Sequence, residues 1–148
     1  MLIETLKTIF KRDLNKLKQE IELYKYEKNI LIIEGNIANS AGNLCLHLTG
    51  NLNAYIGVHL AKTNYVRQRD LEFSLKDIPK AELLKKIDDT IIVVENGLSN
   101  LKESQLNENF PVVIWDKPTS MEYTLINLAT HLNYHLGQIN YHRRLLDK

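Results

Sequence analysis

The sequence predicts an all-α protein, a four-helix bundle, and three observations predict it. Apolar residues recur at three- and four-residue steps through four long segments. Those segments match in length: about 22–27 residues each, roughly 33–40 Å at ~1.5 Å rise per residue, as a bundle requires. The residues between them hold no sustained period.

The first helix runs from about Leu2 to Tyr26, with Leu2, Leu6, Ile9, Phe10, Leu14, Leu17, Ile21 and Tyr24 on one side and lysines and acids on the other. Residues 28–39 connect it to a second helix that Ser40 caps and that extends to about Ala61. Ala41, Leu44, Leu48, Leu52, Tyr55 and His59 share a face there, and Gly50 and Gly57 offer places for a neighbour to approach closely. Residues 62–79 are irregular and end at Pro79. The third helix covers about Lys80 to Leu101, with Leu84, Ile87, Ile91, Val94, Leu98 and Leu101 as its packing seam. Residues 102–120 are irregular again, apart from a short extended piece at Phe110–Trp115, and Thr119 or Ser120 caps a fourth helix that runs nearly to the C-terminus. The two long connections, between helices two and three and between three and four, exceed the usual 2–8 residues of an up-down bundle. They either carry the chain along the bundle or form functional rims.

Composition bounds the function. The 148 residues suit a single domain, 1–148, without repeats or linkers. Lys+Arg (19) nearly cancel Asp+Glu (18), so the electrostatic footprint of a nucleic-acid binder is missing. No apolar run approaches the ~18–20 residues of a membrane span. Lysines interrupt every apolar stretch of MLIETLKTIFKRDLNKLKQE, so no signal-peptide core is present, and a cytoplasmic location is expected. One cysteine rules out an intrachain disulfide and a cysteine-based zinc site.

The chemistry concentrates in SMEYTLINLATHLNYHLGQINYHRRLLDK. At roughly 100° per residue, His135 and Gln138 fall within about 40° of His131, directly beside the stripe of Leu125, Leu128, Leu132, Leu136 and Ile139. Two histidines at i and i+4 can hold one ion from one helical face. In the second helix His47 lies at the same margin, flanked by Asn43 and Asn51. A bundle can therefore bring His47 against His131 and His135. Three neutral imidazoles with a fourth position open to water or substrate are the arrangement of a catalytic ion. Histidines at core margins also serve as hydrogen-bonded structural residues, and both readings stand at this point.

The stretches NSAGNLCLHLTGNL and THLNYHLGQINYHRRLL, with EGNIANSAGN and AKTNYVRQRDLEF, resemble the DinB-like (DinB/YfiT-like) metalloenzyme superfamily over nearly the whole chain. H-x-x-x-H-x-G-Q is the most specific piece. The resemblance implies an up-down-down-up bundle, often a homodimer, with a nickel or zinc ion held by His47, His131 and His135. Some relatives resemble transferases or isomerases that use low-molecular-weight thiols. The expected function is thus a metal-dependent enzyme, of hydrolase or thiol S-transferase type, that activates water or such a thiol on a small-molecule substrate. The alternative is a non-catalytic metal-binding or structural helical bundle.

Other residues carry paired readings. Gln138 and Asn51 either bind substrate or a ligand histidine, or are amides satisfied at the core margin. Arg67 and Arg69 either grip an anionic substrate or pair with Asp70 and Glu72 in a closed loop. His142, about 10 Å along the axis from His135, is too distant for the same ion and is expected to be a last-turn residue favoured by the helix dipole. His59 is expected to pack, and Cys45, ~200° from His47 around the helix, to be a buried inert thiol.

Overall fold

A computed structural model describes all 148 residues, Met1–Lys148. The regular structure of the chain is helical, and its only β pairing is the isolated bridge Asn109–Ser120. Four long helices form the bundle: α1 (Leu2–Glu22), α2 (Ala41–Leu52, prolonged by a π turn at Asn53–Gly57), α4 (Lys80–Ser99) and α5 (Met121–Leu146). A short helix, α3 (Arg69–Ser74), breaks the connection from α2 to α4, and a 3-10 turn at Glu27–Leu31 follows α1.

Hydrogen bonds between helices fix their directions. Lys80 Nζ donates to Glu22 O at 2.8 Å and Lys18 pairs with Asp88 at 2.9 Å, while the amino terminus meets Glu103, so α1 and α4 are antiparallel. Asn133 reaches Asp13 at 3.1 Å and Arg143 reaches Glu20 at 2.7 Å, so α1 and α5 are parallel. Asn53 bonds Thr90 at 2.9 Å and Asn100 bonds Leu60 O at 2.9 Å, which makes α2 parallel to α4. The order is therefore up (α1), down (α2), down (α4), up (α5), and the long connections carry the chain between helices that are not simple antiparallel neighbours. Asp147 ties the chain end down, accepting from the backbone of Lys25 at 2.6 Å and from the Asn29 amide at 3.0 Å.

Each element has a local cause. Ser40 and Ser120 accept from Asn43 N and Tyr123 N, both at 3.1 Å, and so satisfy orphan donors at the starts of α2 and α5. The apolar stripe of α1 (Ile3, Leu6, Phe10, Leu14, Leu17, Ile21) meets Leu83, Ile87, Val94 and Leu98 of α4 and Leu125, Leu132 and Ile139 of α5 in one core. The α4 seam is rotated from the expected one: Leu83, Thr90 and Gly97 are buried, whereas Leu84 and Ile91 are half-buried. The reason is Gly97, where a Cβ would stand 2.6 Å from Ile56 Cγ2; only a bare α-carbon lets the π turn pack so closely.

α2 differs from the amphipathic helix expected. Every residue from Ala41 to Leu52 is buried, because α3 covers the face that a simple bundle would leave in water. Asn43 anchors that cover by donating to Glu72 O at 3.0 Å and Leu75 O at 2.8 Å. Residues 110–115 form no strand; the only order there is Phe110 N donating to Thr119 O at 2.9 Å beside the single bridge. No helix is long and apolar enough to cross a membrane.

Candidate metal centre

α2 and α5 run antiparallel and bring His47 against His131, Nε2 to Nε2 at 3.1 Å. His135, one turn along α5, sets its ring centroid 5.4 Å from that of His47 and 4.6 Å from that of His131. One nitrogen from each ring can be chosen so that all three lie within 4.8 Å of one another. Two nitrogens about 2.0–2.1 Å from one ion sit roughly 3–3.4 Å apart, which matches the His47–His131 spacing. The donor set of three imidazoles also suits a divalent ion, and two of the rings are held neutral. Burial, then the neighbouring His135, His47 and Arg67, push His131 down to about 4, and burial lowers His135 as well. This three-histidine group can hold a metal ion.

Two of the rings are held by outer partners. His47, 7% exposed, donates Nδ1–H to Glu72 Oε1 at 3.1 Å. That fixes the tautomer in which Nε2 carries the free lone pair. Glu72 is itself buried, and Arg67 grips both its oxygens, Nε to Oε2 at 2.9 Å and Nη2 to Oε1 at 3.0 Å. Burial alone would raise the Glu72 carboxyl; the hydrogen bonds from His47 and Arg67 outweigh it and hold the group below its ordinary value. Gln138 Oε1 accepts from His135 Nδ1 at 2.6 Å and turns that ring the same way. Nδ1 of His131 is buried and has no partner, so the polar contact of this ring is the one its Nε2 makes with His47.

Residue spacing did not reveal Glu72 as the partner of His47, because it lies 25 positions further on and on a separate short helix. One sign was present. Gly50 sits one turn after His47, and a Cβ there would stand 2.0 Å from Glu72 Oε2. A glycine inside a helix beside a histidine marks the point where something must come close.

The DUF1572 family, described as a protein of unknown function, matches residues 2–148. The chain belongs to DUF1572. No curated protein matches it. Among solved structures, one described as the crystal structure of the conserved protein of locus from Enterococcus faecalis superposes with a TM-score of 0.76. At 14% identity, over 97% of this chain and 95% of that one, the likeness is one of fold.

Around the histidines of this DUF1572 protein lie two clefts. One, of ≈ 410 Å³, is lined by His47, His131, Asn51, Arg67, Arg69 and Trp115 among others. Asn51 is 8% exposed and its Oδ1 has no partner. Arg67 is committed to Glu72, whereas Arg69 is exposed, stacks over the Phe73 ring at 5.3 Å and pairs with no acid. His135 and Gln138 belong to the edge of the second, larger cleft.

The remaining candidates stand apart. His142 is buried rather than a charged last-turn residue: Tyr24 Oη donates to its Nδ1 at 2.5 Å, and its Nε2–H donates to Ile32 O at 2.8 Å. Burial lowers its pKa, so desolvation overrides the helix dipole. His59 packs edge-on against Phe110, centroids 5.7 Å apart. The thiol of Cys45 is fully enclosed and pushed up to about 12 by burial, which leaves it inert.

Proposed function

We propose that this protein is a metal-dependent enzyme of the DinB-like kind, with His47, His131 and His135 as ligands of one divalent ion, nickel or zinc, and a small molecule as substrate. The observation that carries the reading is the pairing of three converging imidazoles with outer partners that hold two of them in the ligating tautomer. A histidine that serves only packing needs no buried carboxylate, itself held by an arginine, behind it. An ion bound there would supply Lewis-acid activation of a water or a low-molecular-weight thiol.

The chain's own groups have distinct work. Glu72, kept ionised by Arg67, holds the His47 proton at Nδ1 throughout. Gln138 does the same for His135. Asn51 lines the cleft beside His47 and His131, and its buried Oδ1 is an acceptor without a partner. Arg69 faces the same cleft with a free guanidinium that suits a carboxylate or phosphate.

One observation favours a second reading, a metal-binding bundle without turnover: both Glu72 oxygens are committed to Arg67 and His47, so that carboxylate is not free to act as a general base. Metal analysis of protein purified without chelators is the test. We expect about one ion per chain in the wild type and a near-complete loss in His131→Ala. Retained metal without turnover, across amide-hydrolysis and thiol-conjugation panels, would select the second reading. Absence of metal, with no thermal shift on adding Ni²⁺ or Zn²⁺, would end both.

A further inference from the structure

The larger cleft begins at the edge of the histidine cluster. The loop Glu34–Asn39, the start of α2 and the C-terminal half of α5 enclose ≈ 700 Å³. Ile37, Leu44, Tyr134, Tyr141, Leu145 and Leu146 supply apolar and aromatic walls, and His135 and Gln138 form the polar edge. Tyr134 and Tyr141 are each 66% exposed and Leu145 is 60% exposed, so this surface is held open to water. An exposed apolar patch of that kind marks a ligand groove or a protein interface. Two features favour a ligand. The patch is concave, in the usual volume range of small-molecule sites at roughly 300–1,000 Å³, and part of its edge is an imidazole of the candidate metal centre. The smaller cleft on the His47 and His131 side is polar by contrast, with Arg67, Arg69, Asn51 and Asn127 among its lining.

We propose that the substrate carries an alkyl or aryl group that lies in the cleft between Ile37, Tyr141 and Leu145, while its reacting polar group reaches the histidine cluster past His135. The inference rests on the metal-centre reading and extends it to the class of substrate: amphipathic, with the apolar portion adjacent to the reacting group. His135 is the hinge of the argument, since it belongs both to the donor set and to the wall of the apolar cleft.

A series of alkyl hydroxamates, from acetohydroxamate to octanohydroxamate, tests this on Zn²⁺-loaded full-length protein. The chelating head is constant, so differences in Kd report the chain. A fully buried methylene is worth about fourfold and a half-buried one about twofold, so the six added methylenes should tighten binding on the order of 50-fold. Tyr141→Asp and Ile37→Asp alter exposed positions, and with an unchanged circular dichroism spectrum each should reduce that ratio to roughly fivefold or less. Methyl resonances of Ile37 and Leu145 should shift with octanohydroxamate but not with acetohydroxamate. A flat series with acetohydroxamate still bound would overturn the cleft assignment and leave the metal centre standing. A flat series in a protein that sediments as a dimer, which Tyr141→Asp converts to monomer, would assign the patch to self-association instead. Failure to retain Zn²⁺ at all, read from metal content before any hydroxamate is added, would instead remove the metal reading and this proposal with it.

Discussion

Glu72 decides how well His47 can serve as a ligand. The carboxylate lies between a ring it orients and a guanidinium that keeps it charged, with the ring and the carboxylate buried and the guanidinium half-buried. Glu72→Gln keeps the shape but weakens the pull on Nδ1–H and frees Arg67 from its counter-charge. Metal affinity should fall about 10–100-fold, as measured by competition titration with a chromophoric chelator; an unchanged affinity would show that His47 needs no outer partner. A second consequence concerns pH. His131, His135 and His142 all titrate below their ordinary value, chiefly through burial. For each, the unfolded chain takes up a proton that the folded chain refuses. Their contribution to stability is therefore complete above pH ~6.5 and is lost as pH falls, for His131 down to about 4. The chelated protein should show a lower urea midpoint at pH 5 than at pH 7.5, and His131→Ala should flatten that slope. Equal midpoints at the two pH values would mean that burial does not depress these histidines.

Among the elements, glycines separate positions where backbone closeness is needed from positions where it is not. At Gly50 a methyl group would push into Glu72 Oε2, which accepts from Arg67 Nε while Oε1 is held by Arg67 Nη2 and His47. Gly50→Ala should destabilise the fold by about 1–3 kcal/mol and weaken metal binding together with it, since Glu72 must leave His47 to make room. Gly137 on α5 meets nothing within 4 Å of a built Cβ and has ordinary helical backbone. Gly137→Ala should accordingly stabilise by roughly 0.4–1 kcal/mol, read as a rise in the denaturation midpoint. The same contrast explains what sequence patterning can reach. The 3.6-residue period places the four long helices to within a few residues at their ends, because each buries a continuous apolar stripe. It misses α3, six residues long, whose one buried side chain is Glu72, an ion-paired acid and not an apolar residue. It also cannot register the π turn at Asn53–Gly57, in which Ile56 seats against Gly97 of α4. Nor can it tell that α2 is covered on every side, since that depends on where α3 lands.

For the molecule as a whole, the histidine site joins two non-consecutive helices, α2 and α5, by chemistry as well as by packing. His47 comes from α2, His131 and His135 from α5, and 84 residues separate the nearest pair. Helical geometry brings those three side chains to core margins without knowledge of the fold, which is why the set was legible. Glu72 was not, because its contact exists only after α3 has docked on α2. An ion shared by α2 and α5 binds only when both helices are in place, so its affinity adds to global stability rather than to one element. With free ion at about 100 times Kd the gain is ~2.7 kcal/mol. In a chain of this length each kcal/mol raises Tm by roughly 2–4 °C, so ion binding should lift Tm by about 5–10 °C. The shift should vanish in His131→Ala and shrink in Glu72→Gln. Leu145→Asp should keep it, since that residue lines the apolar cleft and is not one of the ligands. Differential scanning calorimetry of chelated and Zn²⁺-loaded protein reads all four cases, and equal shifts in wild type and His131→Ala would place the bound ion elsewhere on the molecule.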